Sequence, residues 1–169
     1  MQQRMIMKNK AIYIASPLGF SEVGRLFMHQ ELFPIIKSSG YDILDPWKLP
    51  AKIQNQIDAI DKLADCDRKK AWQVLNPVLG RRNAKSINES IGLLAVLDGV
   101  DVDSGTASEI GYAAAKSKPI LGYRGDFRLS ADNEGSKVNL QVEYFIRLHK
   151  GNIVTSLEGI KEYLPKIFK

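Results

Sequence analysis

A chain of 169 residues that is 44% hydrophobic, 25% charged and 8% aromatic is long enough to bury a core and too apolar to be disordered throughout. No apolar run approaches the length of a bilayer span, no signal-peptide pattern opens the chain, and a single cysteine, Cys66, allows no internal disulfide, so a soluble protein of the reducing cytoplasm is expected. The net charge of +5 is carried by scattered lysines and arginines, with runs at Arg68-Lys69-Lys70 and Arg81-Arg82 but no stripe and no nucleic-acid-binding motif, which reads as solvated faces rather than a polymer site.

After the polar and basic lead-in "MQQRMIMKNK", the first element is a strand, "AIYIA" (11–15). Ser21 can cap a helix carrying Val23, Leu26, Phe27 and Ile36, which Gly40 closes and which Pro34 should kink. A second strand, "YDIL" (41–44), follows. From Lys48 to Gly80 the chain has helical stretches and a tryptophan-bearing run, "AWQVLNPVLG", without a clear strand; such an excursion suits a lid or an oligomer contact. The third strand is "LLAVL" (93–97). Thr106 can open a helix that must end before Pro119, "PILGY" (119–123) and "NIVT" (152–155) give two further strands, and Ser156 starts a helix with Leu157, Ile160, Leu164 and Ile167 on one face. The middle strands are continuously apolar, as in a sheet covered on both faces. Strand–helix alternation predicts a doubly wound α/β fold in a single domain, 1–169, with ligands bound beyond the carboxyl ends of the strands.

That rim gathers the suggestive residues 16–20, 45–47, 98–109 and 123–128. In "LDGVDVDSGTASEIGYA" (97–113), Thr106 and Glu109 have capping-box spacing, so Glu109 can be a structural cap. The same helix start would hold a carboxylate ionised in the macrodipole, and an ionised carboxylate with one free oxygen can attack an anomeric carbon. Asp103 can share the rim and bind a sugar hydroxyl or move a proton. Asp98 and Asp101 read as loop-shaping residues; clustered aspartates can also hold a divalent metal, but calcium-loop spacing is absent and no metal is expected. Tyr13, inside the first strand, reads as core. "SPLGFSEVG" (16–24) could bind phosphate at a helix start, though it lacks the glycine-rich signatures. Neither His29 nor His149 belongs to a triad pattern, and no nucleophile-elbow motif is present.

The run "LLAVLDGVDVDSGTASEIGYAAAKSKPILGYRGDFR", followed by "KVNLQVEYFI", resembles the nucleoside 2-deoxyribosyltransferases, and the resemblance extends from Ala11 to about Phe168. It implies a flavodoxin-like doubly wound sandwich with a five-stranded parallel sheet, no metal or organic cofactor, and transfer of 2-deoxyribose between purine and pyrimidine bases. Its substrates would be 2′-deoxynucleosides and free nucleobases. It further implies a homo-oligomer, dimer or hexamer, with shared active sites. By resemblance Glu109 is the nucleophile, Asp103 contacts the nucleoside, and Tyr13 places the nucleophile. Asn139 would reach the sugar from a neighbouring subunit, and Gly19, Phe20, Asp98 and Gln141 would contact substrate. Asn83 falls where many members carry a base-contacting aspartate; an amide hydrogen-bonds but supplies no acidic proton at neutral pH. Two rival expectations are an N-glycosidase of the same fold acting on deoxynucleosides or their 5′-monophosphates, for which Ser16, Ser21 and Arg25 are available in the first loop, and a non-catalytic nucleotide-binding domain.

Overall fold

The structure, a computed structural model, describes residues 10–129 and 131–169. Most of the predicted lead-in, residues 1–9, lies outside the described residues. Every predicted strand is found with ends within one residue of expectation: β1 (Ala11–Ala15), β2 (Asp42–Leu44), β3 (Gly92–Val96), β4 (Ile120–Tyr123) and β5 (Asn152–Val154). All pairings are parallel in the order β2-β1-β3-β4-β5. This is the flavodoxin-like order, with its switch point between β1 and β3.

β1, β3 and β4 are buried at every position, which explains their unbroken apolar sequences. The two-residue alternation of a strand then sorts the core into two layers. Tyr13, Ala15, Leu93, Ala95 and Ile120 join Ile110, Ala113, Val142 and Ile146 on one side. Ile12, Ile14, Leu94, Val96 and Leu121 join Met28, Ile36, Ile160 and Leu164 on the other.

Among the described residues seven α-helices accompany the sheet: α1 (Glu22–Phe27), α2 (Phe33–Ser38), α3 (Ala51–Ile60), α4 (Asp65–Glu89), α5 (Ser104–Ala115), α6 (Leu140–Arg147) and α7 (Leu157–Ile167). Ser21 caps α1 as expected, its hydroxyl accepting from the Gly24 amide at 3.0 Å. The helical path from α1 to α2 is continuous through a π turn, Met28–Leu32, which ends just before Pro34. A proline has no amide proton and its ring crowds the carbonyl four residues back; the wider turn accommodates both. Gly40 closes α2 at φ +87°, a conformation that suits a residue without Cβ.

Residues 48–80 form α3 and most of α4. α4 runs unbroken through Pro77, forgoing one helical hydrogen bond there. Its lower part is fastened to the body by Arg82, whose guanidinium donates to the Pro46 carbonyl at 2.9 Å and the Lys48 carbonyl at 2.7 Å. α3 and the upper part of α4 thus stand over the carboxyl ends of β1 and β2. Among the described residues no helix is long and apolar enough to cross a membrane.

Candidate active site

α5 begins earlier than predicted. Its first residue is Ser104, and Asp103 is the cap: Oδ2 of Asp103 accepts from the Thr106 amide at 2.9 Å and from the Thr106 hydroxyl at 3.3 Å. Aspartate is a stronger N-cap than threonine, and starting at Ser104 adds most of a turn. The expected Thr106–Glu109 capping box is therefore not formed. Glu109 lies in the second turn of α5, beyond the part of the helix where the macrodipole acts strongly.

What holds Glu109 is tertiary. The Tyr13 hydroxyl donates to its Oε1 at 2.6 Å, and the Asn83 amide donates to the same oxygen at 3.4 Å. Oε2 accepts no hydrogen bond among the described residues. Burial raises the Glu109 carboxyl from 4.5 to about 7; the Tyr13 and Asn83 hydrogen bonds pull it down and the nearby Asp103 charge pushes it up. The sequence-based picture of a carboxylate kept ionised by a helix end is thus corrected: desolvation dominates, and near neutral pH the carboxyl is poised between its two forms. Tyr13, fully buried in β1 and beside this carboxylate, is pushed far above the usual phenol range by desolvation and by Glu109. It remains a hydroxyl donor at every physiological pH.

Glu109 forms part of the lining of a cavity of about 500 Å³ at the switch point of the sheet. Ser16 lies at the end of β1, Asp103, Gly105 and Thr106 at the start of α5, and Asn83 on α4. The rest of the wall comes from Phe20 in the first loop, from Pro46, Trp47 and Leu49 in the β2–α3 loop, and from Ile57, Trp72, Asn76 and Leu79 on the two upper helices. Trp47 is fixed at three points. Its indole NH donates to the Ser16 carbonyl at 3.1 Å, its amide donates to Oδ1 of Asp45 at 2.9 Å, and its ring covers Gly19. A Cβ on Gly19 would fall 2.1 Å from that ring, so only glycine lets the indole lie flat on the first loop. Phe20 meets Trp47 edge-on at 4.5 Å and is 75% exposed, leaving an aromatic face at the cavity mouth.

Of the sequence candidates, the structure brings together Tyr13, Asn83, Asp103 and Glu109, with Phe20 at the rim. Gly19 acts beneath Trp47 and is not a wall residue. Asp98 faces the neighbouring loop, where its Oδ1 accepts from the Asp126 amide at 2.9 Å. Asn139 caps α6, its Oδ1 accepting from the Gln141 and Val142 amides at 3.0 and 3.3 Å. Neither Asn139 nor Gln141 lines this cavity within one chain. The first-loop serines are engaged in turns, Ser16 Oγ accepting from the Leu18 amide at 3.1 Å and Ser21 capping α1. Arg25 donates to the Gly19 carbonyl at 3.0 Å and lines a separate surface pocket. Sequence reading placed Trp47 on the rim within 45–47 without giving it a role, and it missed Trp72, Asn76 and Leu79. These three stand four and three residues apart and lead, after four more, to Asn83. That helical register is the signal that would have found them. Among the described residues no group of three or more His, Cys, Asp or Glu side chains is arranged to hold a metal ion.

The fold and the site together define a flavodoxin-like α/β protein with a tyrosine-held carboxylate at the floor of an aromatic pocket. A family model described as nucleoside 2-deoxyribosyltransferase matches residues 12–141. The chain belongs to the nucleoside 2-deoxyribosyltransferase family. Among solved structures it resembles a conserved protein from Enterococcus faecalis at 24% identity and a TM-score of 0.66, covering 93% of this chain and 98% of that one. It also resembles a 2-deoxyribosyltransferase from Bacillus psychrosaccharolyticus (16% identity, TM-score 0.61, 90% and 91% covered) and one from Leishmania mexicana (22%, 0.59, 92% and 97%). These three likenesses show the fold. No curated protein sequence matches the chain.

Proposed function

We propose that the protein transfers 2-deoxyribose between the bases of 2′-deoxynucleosides through a covalent deoxyribosyl ester on Glu109. The observation that carries this reading is the asymmetry of the carboxylate: Oε1 is held by Tyr13 and Asn83, while Oε2 accepts no hydrogen bond among the described residues, beside a cavity of nucleoside size. In the ionised form, Oε2 attacks C1′. The C1′–N bond breaks, its electron pair goes to the base, and the base takes up a proton from solvent or by way of Asp103, whose Oδ1 is not used by the cap. Asn83 can hydrogen-bond the leaving base but not protonate it. A second base then attacks C1′ from the face the first one left and gives up its N–H proton by the reverse route, to solvent or by way of Asp103, while the C1′–Oε2 bond breaks and Glu109 returns as carboxylate. Two inversions give retention. A ring lacking the 2′-hydroxyl reaches an oxocarbenium-like transition state more easily, which favours deoxyribose.

The absence of any lysine or arginine from the cavity lining, among the described residues, favours a nucleoside over its 5′-phosphate. With Ser16, Ser21 and Arg25 already engaged, the first loop supplies no evident phosphate cradle. Asn139 is assigned to a neighbouring subunit's cavity in a homo-oligomer, and Gln141, two residues on in the first turn of α6, would reach substrate by the same route. Incubation of the protein with one deoxynucleoside and a different free base tests the reading. A new deoxynucleoside is expected, with a Glu109 adduct of deoxyribosyl mass when the second base is withheld. Free sugar and base alone would instead establish an N-glycosidase, and turnover surviving Glu109→Ala would remove the nucleophile assignment.

A further inference from the structure

We infer that Asn76 reads the exocyclic edge of the bound base, so that one amide accommodates both amino- and oxo-substituted bases; this rests on the proposed deoxyribosyl transfer. α4 presents Trp72, Asn76, Leu79 and Asn83 to the cavity, a spacing that keeps all four on one helical face. Asn83 marks the reacting end, since its amide reaches Oε1 of Glu109. Asn76 stands two helical turns from it, roughly 10 Å along the axis at 1.5 Å per residue. That is the scale of a purine with a hydrogen bond at its far edge. A base whose glycosidic bond lies at Glu109 and which extends between the rings of Trp47 and Trp72 ends its path at Asn76.

The chemistry at that end is singular. Among the described residues Asn76 is the polar side chain that α3, the upper part of α4 and the β2–α3 loop contribute to the lining; the others are aliphatic, aromatic or proline. Its amide makes no hydrogen bond to any described residue, so both its donor and its acceptor are unspent. A carboxamide rotates to accept from an amino group or to donate to a carbonyl oxygen. A site so built takes 6-amino and 6-oxo purines alike, as an enzyme exchanging one base for another requires.

The test is titration of adenine and of hypoxanthine into the full chain, followed by quenching of Trp47 and Trp72 fluorescence, for wild type, Asn76→Asp and Asn76→Leu. A carboxylate only accepts. Asn76→Asp is expected to retain adenine and weaken hypoxanthine, shifting the ratio of their dissociation constants about tenfold or more. Asn76→Leu is expected to weaken both. Val74→Glu, which adds the same charge on the face of α4 turned away from the cavity, should leave the ratio unchanged. A ratio unmoved in Asn76→Asp, with wild-type base exchange intact, overturns the assignment of Asn76 alone. Equal weakening of both bases by Asn76→Asp overturns it too. If neither base binds the wild type, the base site falls and the proposed function with it. Position 76 is exposed on a helix, where Asn and Asp have similar propensity, so the variants keep the fold.

Discussion

Replacing Glu109 by glutamine should stabilise the protein above neutral pH and leave it unchanged in acid. The carboxyl is raised by burial from 4.5 to about 7. Between those values the folded chain holds a proton that the unfolded chain has released. Stability therefore falls as pH rises through this window and is level above it. The rise is worth about 3 kcal/mol at ~1.4 kcal/mol per pH unit. Glutamine keeps an acceptor for the Tyr13 hydroxyl and never ionises, so the variant escapes the loss. For a chain of this length that corresponds to roughly 6–12 °C in melting temperature. Calorimetric melts of both proteins at about pH 5 and about pH 8 check it. The two should nearly coincide in acid, with Glu109→Gln melting higher in base. A gap that is the same at both pH values, or a variant that is less stable in base, would refute the burial argument and with it the poised carboxyl.

Tyr13→Phe removes the donor that lowers the Glu109 carboxyl, so the acid limb of kcat/KM should move up by about one to two pH units; a limb that stays in place refutes the role of the hydroxyl. Asn83→Asp sets a second carboxyl where an amide now reaches Glu109, and such a pair titrates in two steps; an alkaline fall in kcat/KM absent from the wild type is expected in the pH–rate profile. If Asn139 serves a neighbour's cavity, Glu109→Ala and Asn139→Ala chains should each be inactive as pure oligomers. Co-expressed, they should regain activity on the order of a quarter of wild type from mixed sites; purified mixed oligomers without turnover would rule out sharing.

The sheet was legible because its chemistry is local. β1, β3 and β4 must be apolar on both faces, and no competing pattern obscures runs such as "GLLAV". The start of α5 was misread because Asp103 and Thr106 are both good caps three residues apart, and spacing alone does not rank them. Glu109 was picked out as the reactive residue on grounds that only partly hold. The helix end recedes by most of a turn, while the partner that matters, Tyr13, sits ninety-six residues away in sequence. The cavity wall was the least legible part. Trp72 and Leu79 sit in a stretch whose pattern suits a lid or an oligomer contact, and only the placement of α4 beside the end of β1 brings them into one cavity with Glu109.

The two predicted titrations are not independent, and their agreement is a stricter test than either alone. Tyr13 is driven so far up that it never competes for the proton, so one group titrates at the pair and the acid limb belongs to Glu109. Any upward movement of that limb in Tyr13→Phe must then reappear as a loss of stability that continues to higher pH at the same slope, larger in total by ~1.4 kcal/mol per pH unit of displacement. The comparison needs both measurements on free enzyme, because kcat/KM reports free-enzyme groups whereas kcat reports the complex. If the limb moves while the stability window does not, the kinetic limb belongs to another group and the assignment of Glu109 as the ionising nucleophile fails. If both move together, the same hydrogen bond that eases the burial of a carboxyl in the cavity wall also sets the pH at which that carboxyl can react.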